Sequence, residues 1–284
     1  MSGTIAVGVE GTEPSRIALR WSMKRAAALG SAVRLVNVVD TEWAGVGTRM
    51  LDDMHVGARQ LLEREAEYAR SLAPGVSVDT ELLEGDLMDE LIAASEDCDL
   101  IAVGTHKTGF IHGKVFGSRS LQLAAAAHSP VAIVPQTSRR GGQGIVVGTD
   151  ESDAGRSAVR FAAAEAERTG QPLTFVRASD APGRPEDRDD EQRERDRYFE
   201  GQTKTILSDA SAIAKSVHPA VEVRARSVRR PAAEALLDSS ASADLLVIGS
   251  SRRDGSAGRM LGSVSHDVLI NLVGPTIVVH AGDR

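Results

Sequence analysis

At 284 residues the chain is long for one domain and comfortable for two, since domains usually run about 100–200 residues. Hydrophobic residues make up 42% of it but aromatic ones only 3%, so its cores must be built from Val, Leu, Ile and Ala, which suits helices covering a parallel sheet. A net charge of −7 argues against a nucleic-acid partner, because such binding needs Lys and Arg to neutralise phosphates. Along the chain, Thr4–Val9 reads as a short apolar strand entering the turn Glu10–Pro14. Pro14 is well placed in the first turn of a helix that runs to about Leu29 and stops at Gly30. Val33–Val39 is a second strand. Leu51, Met54, Ala58, Leu61, Leu62, Ala69 and Leu72 recur with helical spacing before Pro74-Gly75 breaks the chain, and Glu63, Glu65 and Glu67 read as surface charges of that helix. Val76–Leu83 alternates like a strand, Asp86–Ser95 reads helical, and Leu100–Val103 is a buried strand. A glycine-containing loop, Gly104–Phe116, leads to a helix over Ser118–Ala127, and Val131–Val134 closes the sheet.

The order then repeats. Ile5-Ala-Val-Gly-Val-Glu10 returns as Ile145-Val-Val-Gly-Thr-Asp150, and Ala18-Leu-Arg-Trp21 as Ala158-Val-Arg-Phe161, at an offset of 140. Asp99-Leu-Ile-Ala-Val-Gly104 returns as Asp244-Leu-Leu-Val-Ile-Gly249, and Gly117-Ser118 as Gly262-Ser263, at an offset of 145. The stretch Arg184–Arg197, with seven acidic and five basic residues, is the natural place for the net insertion and reads as a solvated loop or helix entry. In the second copy Phe199, Ile206, Ala210, Ile213 and Val217 mark one face of the second helix. Alternating β and α elements predict an α/β protein of two tandem doubly wound domains, residues 1–137 and 143–284. Each is an open five-stranded parallel sheet with helices on both faces. Gln136–Gly144 is the linker, with no apolar residue in Ser138-Arg-Arg-Gly-Gly-Gln-Gly to anchor it. Duplication also predicts a pseudo-twofold pair within the chain, covering the edges of Val131–Val134 and Thr276–His280, and leaves a further homodimer open.

Ligands of such sheets sit outside the carboxyl ends of the strands, where strand order reverses. Three segments of each copy arrive there: the turns Glu10-Gly-Thr12 and Asp150-Glu-Ser152, the strand ends Asn37-Val38 and Arg177-Ala178, and the loops Gly104–Ser118 and Gly249–Ser263. In the loops a strand ends in Gly and Gly-Ser opens a helix. Glycines let a backbone approach an anion, and a helix N-terminus offers free N–H groups with positive potential. Equally, the glycines make turns and Ser118 and Ser263 serve as N-caps.

The loop resembles the signature of the universal stress protein family: Gly, two residues, Gly, nine residues, then Gly-Ser or Gly-Thr. Ala18-Leu-Arg-Trp before Gly30, Gly85 after strand three and His128-Ser-Pro130 before the last strand are similar too, and the likeness covers both copies nearly end to end. It implies an adenine nucleotide alpha hydrolase-like fold, in which the loop glycines and Gly-Ser hold ATP phosphates and ribose. An Asp after strand one and backbone at the end of strand two hold adenine. Carried over by position, the first copy offers Glu10, Gly11, Val38, Gly85, Gly104, Gly117 and Ser118, and the second Asp150, Ala178, Gly249, Gly262 and Ser263. The second signature glycine is replaced by Lys107 and Arg252, Glu10 stands for the usual Asp, Glu151 for Gly11, and Arg230 for Gly85. A side chain at the signature position either blocks the phosphate or, as a long cation, neutralises it. Glu151, Arg230 and Arg252 crowd the second copy, so a nucleotide is expected in the first more readily.

Other motifs fail on inspection. Gly113-Lys114 is followed by Val115, so it is no Walker A loop. His106 and His112 lack a completing Cys, Asp or Glu in their loop, and no metal is expected beyond Mg2+ accompanying ATP. Cys98 is the single cysteine and lies between Asp97 and Asp99, which disfavours a reactive thiolate. No run approaches about 18 apolar residues and MSGTIAVGVEG is not a signal peptide, so a soluble, cytoplasmic chain is expected. The functional expectation is a non-enzymatic, bacterial stress-response protein that binds ATP or a related adenine nucleotide as a regulatory ligand, together with a protein partner. A nucleotide-independent protein-interaction module and a weak nucleotide hydrolase are the alternatives.

Overall fold

The computed structural model describes residues 3–40, 48–106, 118–136, 142–179, 190–251, 253–255 and 258–282, which fall into two compact units of matching plan. The first runs β1 (Thr4–Gly8), α1 (Glu13–Leu29), β2 (Ala32–Asp40), α2 (Thr48–Leu72), β3 (Val78–Gly85), α3 (Leu87–Ala94), β4 (Leu100–Thr105), α4 (Ser118–Ala126) and β5 (Val131–Pro135). Its strands are parallel in the order β3-β2-β1-β4-β5. The second runs β6 (Ile145–Gly148), α5 (Asp153–Thr169), β7 (Leu173–Ala178), α6 (Asp190–Val217), β8 (Val223–Val228), α7 (Ala232–Ser240), β9 (Leu245–Ser250), α8 (Ser263–Ile270) and β12 (Thr276–His280); a short antiparallel hairpin, β10 (Arg253–Gly255) and β11 (Gly258–Met260), comes between β9 and α8 in the chain and belongs to the first unit. Its parallel order is β8-β7-β6-β9-β12. In both units the order reverses beside the first strand, between β1 and β4 and between β6 and β9. Helices pair as α1 with α2 and α3 with α4, and as α5 with α6 and α7 with α8.

The local signals explain these elements. Thr12 caps α1 by accepting from Ser15 N, Glu13 and Pro14 occupy its first turn, and Gly30 ends it in the left-handed region at φ 66°. Ser152 and Gly170, at φ 65°, do the same for α5. Ala18, Leu19, Ser22, Met23 and Ala26 form the buried stripe of α1. It packs on the sheet face that presents Ile5, Val7, Leu100 and Ala102, all buried. Each large aliphatic side chain so removed from water contributes about 1.5–3 kcal/mol. No helix among the described residues is long and apolar enough to cross a membrane.

Four local readings change. The strand expected over Val76–Leu83 lies two residues later, because Val76 closes a turn onto Ala73 O while β3 stays paired with β2 as far as Gly85 opposite Asp40. Glu63 and Glu67 are exposed but Glu65 is not: it is 1% exposed, and its carboxylate accepts from Arg16 Nε and Nη2 at 3.0 and 2.7 Å, tying α2 to α1. In α6 the buried face is Thr203, Ile206, Ala210 and Ala214, whereas Phe199 and Val217 point to solvent. Three- and four-residue steps from Thr203 keep small residues against the sheet and carry the bulky ones past its ends. In the linker, residues 137–141 lie outside the described residues, and the chain is then anchored by backbone rather than by apolar side chains. Gln143 N donates to Ser242 O at 3.0 Å, and Gly144 N to Gln171 Oε1 at 2.7 Å.

Candidate functional site

At the carboxyl end of the first sheet, where β1 and β4 diverge, the strands leave a cavity of about 610 Å³. Doubly wound folds bind ligands in this crevice, and small-molecule pockets usually span about 300–1,000 Å³. One side is apolar: Val36 and Val38 from β2, and Leu87, Met88 and Leu91 from α3. The other is polar: Thr105 and His106 at the end of β4, with Arg119 and Ser120 in the first turn of α4. Glu10, Ser15, Asn37 and Asp40 line it between these two sides.

The turn after β1 is tightly determined. Val9 N donates to Val36 O at 2.9 Å, and Asn37 Nδ2 donates to Val9 O at 2.6 Å, locking the ends of β1 and β2 together. Ser15, 4% exposed, donates through Oγ to Thr12 O, and Glu10 Oε1 accepts from Thr12 Oγ1 at 2.8 Å. Glu10 is therefore an exposed wall residue held by its own turn. Gly11, at φ 76°, is needed there, because a Cβ would also meet Leu61 Cδ1 at 2.9 Å. Gly104 lines the cavity for a reason that precedes any ligand. A Cβ on it would lie 2.0 Å from Pro14 O and 2.8 Å from Ser15 N, so glycine lets the start of α1 rest on β4. Gly249 repeats this against Ala154 and Gly155.

Of the residues expected from sequence, Glu10, Val38 and Gly104 line this cavity. Gly11 shapes the turn behind it. Gly85, beside Glu90 and not among the lining residues, supports the turn into α3. Lys107, Gly117 and Arg252 lie outside the described residues, as does His112, and Ser118 opens α4. Lining residues not anticipated include Asp40, Leu87, Met88, Arg119 and Ser120, each within three residues of a position that was singled out, and Ser15, Leu91 and Leu123, which lie further along their helices.

The second unit brings together Asp150, Ala178 and Gly249 in the same places, around a cavity of only about 130 Å³. Asp150 Oδ1 accepts from Ser152 N and Oγ at 3.0 and 2.6 Å. Ser263 is not an N-cap: Gly262 occupies the cap position without a side-chain bond, its N donating to Ser250 Oγ at 3.3 Å, and Ser263 is the exposed first residue of α8. The residue that holds this loop is Ser265, which donates to Gly249 O at 3.1 Å. Arg230 does not crowd the site; it is exposed and paired with Asp238 at 2.6 Å. Glu151 does not line the cavity either.

Cys98 has a different environment from the one its acidic neighbours suggest. Its Sγ lies 3.4 Å from Ser129 Oγ, and burial pushes its thiol up from the ordinary range.

A duplicated parallel α/β domain with a ligand-sized cleft at its strand-order reversal defines a class of small-molecule-binding folds. The universal stress protein family model matches residues 1–135 and 143–280, and the chain belongs to that family, with two of its domains in tandem. A universal stress protein of Mycolicibacterium smegmatis is 28% identical over 97% of this chain and 96% of its own length. The crystal structure of a universal stress protein from Archaeoglobus fulgidus superposes with a TM-score of 0.77 over 99% of this chain and all 100% of that one, at 19% identity, a likeness of fold. Another from the same organism, solved in complex with dAMP, is 27% identical over 48% of this chain, with a TM-score of 0.37.

Proposed function

We propose that the first domain binds ATP or a related adenine nucleotide as a regulatory ligand, in a stress-response protein that does not turn the nucleotide over. The observation that carries this reading is the 610 Å³ cleft and its division of labour. Val38, Leu87, Met88 and Leu91 offer an apolar slot for a planar base, with Glu10 and Asn37 at its edge to take up exocyclic polar groups. Arg119, exposed in the first turn of α4, puts a permanent cation beside the free N–H groups of a helix start, where phosphate is favoured. If ATP is the ligand, Mg2+ would accompany its phosphates. Glu10, whose carboxylate accepts from Thr12, would serve the nucleotide as a binding group.

Calorimetric titration of the full chain with ATP, AMP and adenosine, together with mass spectrometry of whatever nucleotide co-purifies, tests the reading. Saturable binding by at least one of the three is expected. No binding of any of them at millimolar concentration would leave the nucleotide-independent interaction module as the better account. Sustained multiple-turnover release of phosphate from ATP, lost when Arg119 is changed to Val, would make the protein a hydrolase instead.

A further inference from the structure

We infer that the chain takes a single nucleotide, in its first domain, and that the second domain's counterpart site is closed by that domain's own Arg177 and Leu236. The inference rests on the proposed nucleotide reading of the first domain. The two sites are built from the same strand ends and the same turn, yet their volumes are about 610 and about 130 Å³. The smaller lies well below the roughly 300 Å³ at which small-molecule pockets begin.

Most sequence differences between the two linings point the wrong way to explain this. Ser15 becomes Gly155, Val38 becomes Ala178, and Leu87 becomes Ala232, and each exchange removes atoms. Closure must therefore come from side chains that grew and one that moved. The one that grew most is Arg177, standing where the first domain has Asn37, while Ile248 adds one carbon at the position of Val103. Asn37 is short and folds back to bond Val9 O, so it lines the cleft without filling it. Arg177 is only partly exposed, lines the small cavity, and its buried Nε has no hydrogen-bond partner among the described residues. The one that moved is Leu236. Its two methyl carbons lie 3.1 and 3.2 Å from the Cβ position of Gly148, whereas at Gly8 the nearest atom is Val103 Cγ1 at 3.3 Å and Leu91 stands back at 3.9 Å. Leu236 thus sits on the end of the first strand, where Leu91 stands back. The polar end differs as well: Val264 lines the second cavity at the position of Arg119, so the start of α8 lacks that cation.

The full-length protein is photolabelled with 8-azido-ATP, digested, and the modified peptides mapped, with calorimetric stoichiometry for ATP measured in parallel. The expected result is label confined to peptides preceding residue 137 and one ATP per chain. Label in peptides after residue 142, or two ATP per chain, overturns the inference while leaving nucleotide binding intact. Absence of label and of heat in both halves overturns the nucleotide reading itself and this inference with it. Arg177→Asn supplies the gain-of-site control, at a side chain whose Nε has no hydrogen-bond partner to lose among the described residues. It is expected to bring label into the second half and raise the stoichiometry towards two. A folded Arg177→Asn protein that still labels only in the first half shows that Arg177 is not the closing residue.

Discussion

Gly104 carries two readings at once, as a turn and as a phosphate-approach glycine, and the structure adds a third that is independent of ligand. Its missing Cβ is occupied by the backbone of Pro14, which has no freedom to rotate away as a side chain would. Gly104→Ala should therefore lift the start of α1 from β4 and destabilise the first domain by at least about 1–3 kcal/mol, the usual cost of forcing atoms into a packed contact. Thermal denaturation with and without the change measures it, and an unaltered midpoint would contradict the packing account. Arg119 makes the opposite kind of residue, exposed and unnecessary to the fold. Arg119→Val should weaken ATP binding roughly tenfold or more, the equivalent of about 1.5–3 kcal/mol for a charge-assisted contact, and leave adenosine affinity unchanged. Equal losses for both ligands would mean that Arg119 shapes the cleft rather than reads its charge. Cys98 offers a further check: with its thiol pushed up by burial, alkylation by iodoacetamide in the native protein should be slow at pH 8 and accelerate only above the ordinary thiol range. Unfolding in denaturant should restore ordinary reactivity at pH 8.

The pairing of α1 with α2 shows what helical periodicity can and cannot convey. Glu65 falls between two exposed glutamates and shares their chemistry, and only its partner on another helix makes it a buried group. Arg16 holds it with two guanidinium nitrogens, and the same contact raises the Arg16 pKa above its ordinary value. The Arg16 side chain remains 42% exposed while that of Glu65 is 2% exposed, so the pair is asymmetric. Arg16→Ala should cost about 2 kcal/mol, less than for a fully buried pair because water reaches the guanidinium, since it strands the carboxylate. Glu65→Leu frees Arg16 to water and should cost less than about 1 kcal/mol. Chemical denaturation of the two variants distinguishes them, and equal losses would show that packing rather than charge holds the helices. The strand and helix order was legible because apolar runs, Gly30, Gly170 and the Ser/Thr caps each act locally. The same holds for the wall residues Glu10, Val38 and Gly104, which lie at or just past the ends of their strands. Glu65, the inward face of α6, and Leu87 and Met88 as the cleft's far wall depend on which elements meet across space. No local pattern encodes that.

Duplication gives the chain two copies of one cleft, and their divergence is read more clearly in volume than in motif. The family signature implies crowding by Glu151, Arg230 and Arg252, yet Arg230 faces solvent and bonds Asp238, and Arg252 lies outside the described residues. What separates the copies is a side chain one residue before the expected adenine contact and a leucine seated on the end of the first strand. A nucleotide held in one domain only should leave a one-sided signature in the dynamics of the whole chain. Ligand at a hundred times its dissociation constant stabilises the state that binds it by about 2.7 kcal/mol, so openings that release it become about a hundredfold rarer. Hydrogen exchange in saturating ATP should then slow by up to that factor in peptides covering Gly8–Arg20, Val36–Asp40 and the first turns of α3 and α4. The counterparts at Gly148–Arg160, Val176–Ser179 and the first turns of α7 and α8 should exchange as they do without ligand. The comparison is internal, since both sets of peptides come from one molecule in one tube, and differences in pH or temperature cancel. Protection of the second set to the same degree would show that the small cleft opens to accept nucleotide, and protection of neither would remove the first cleft as its binding site.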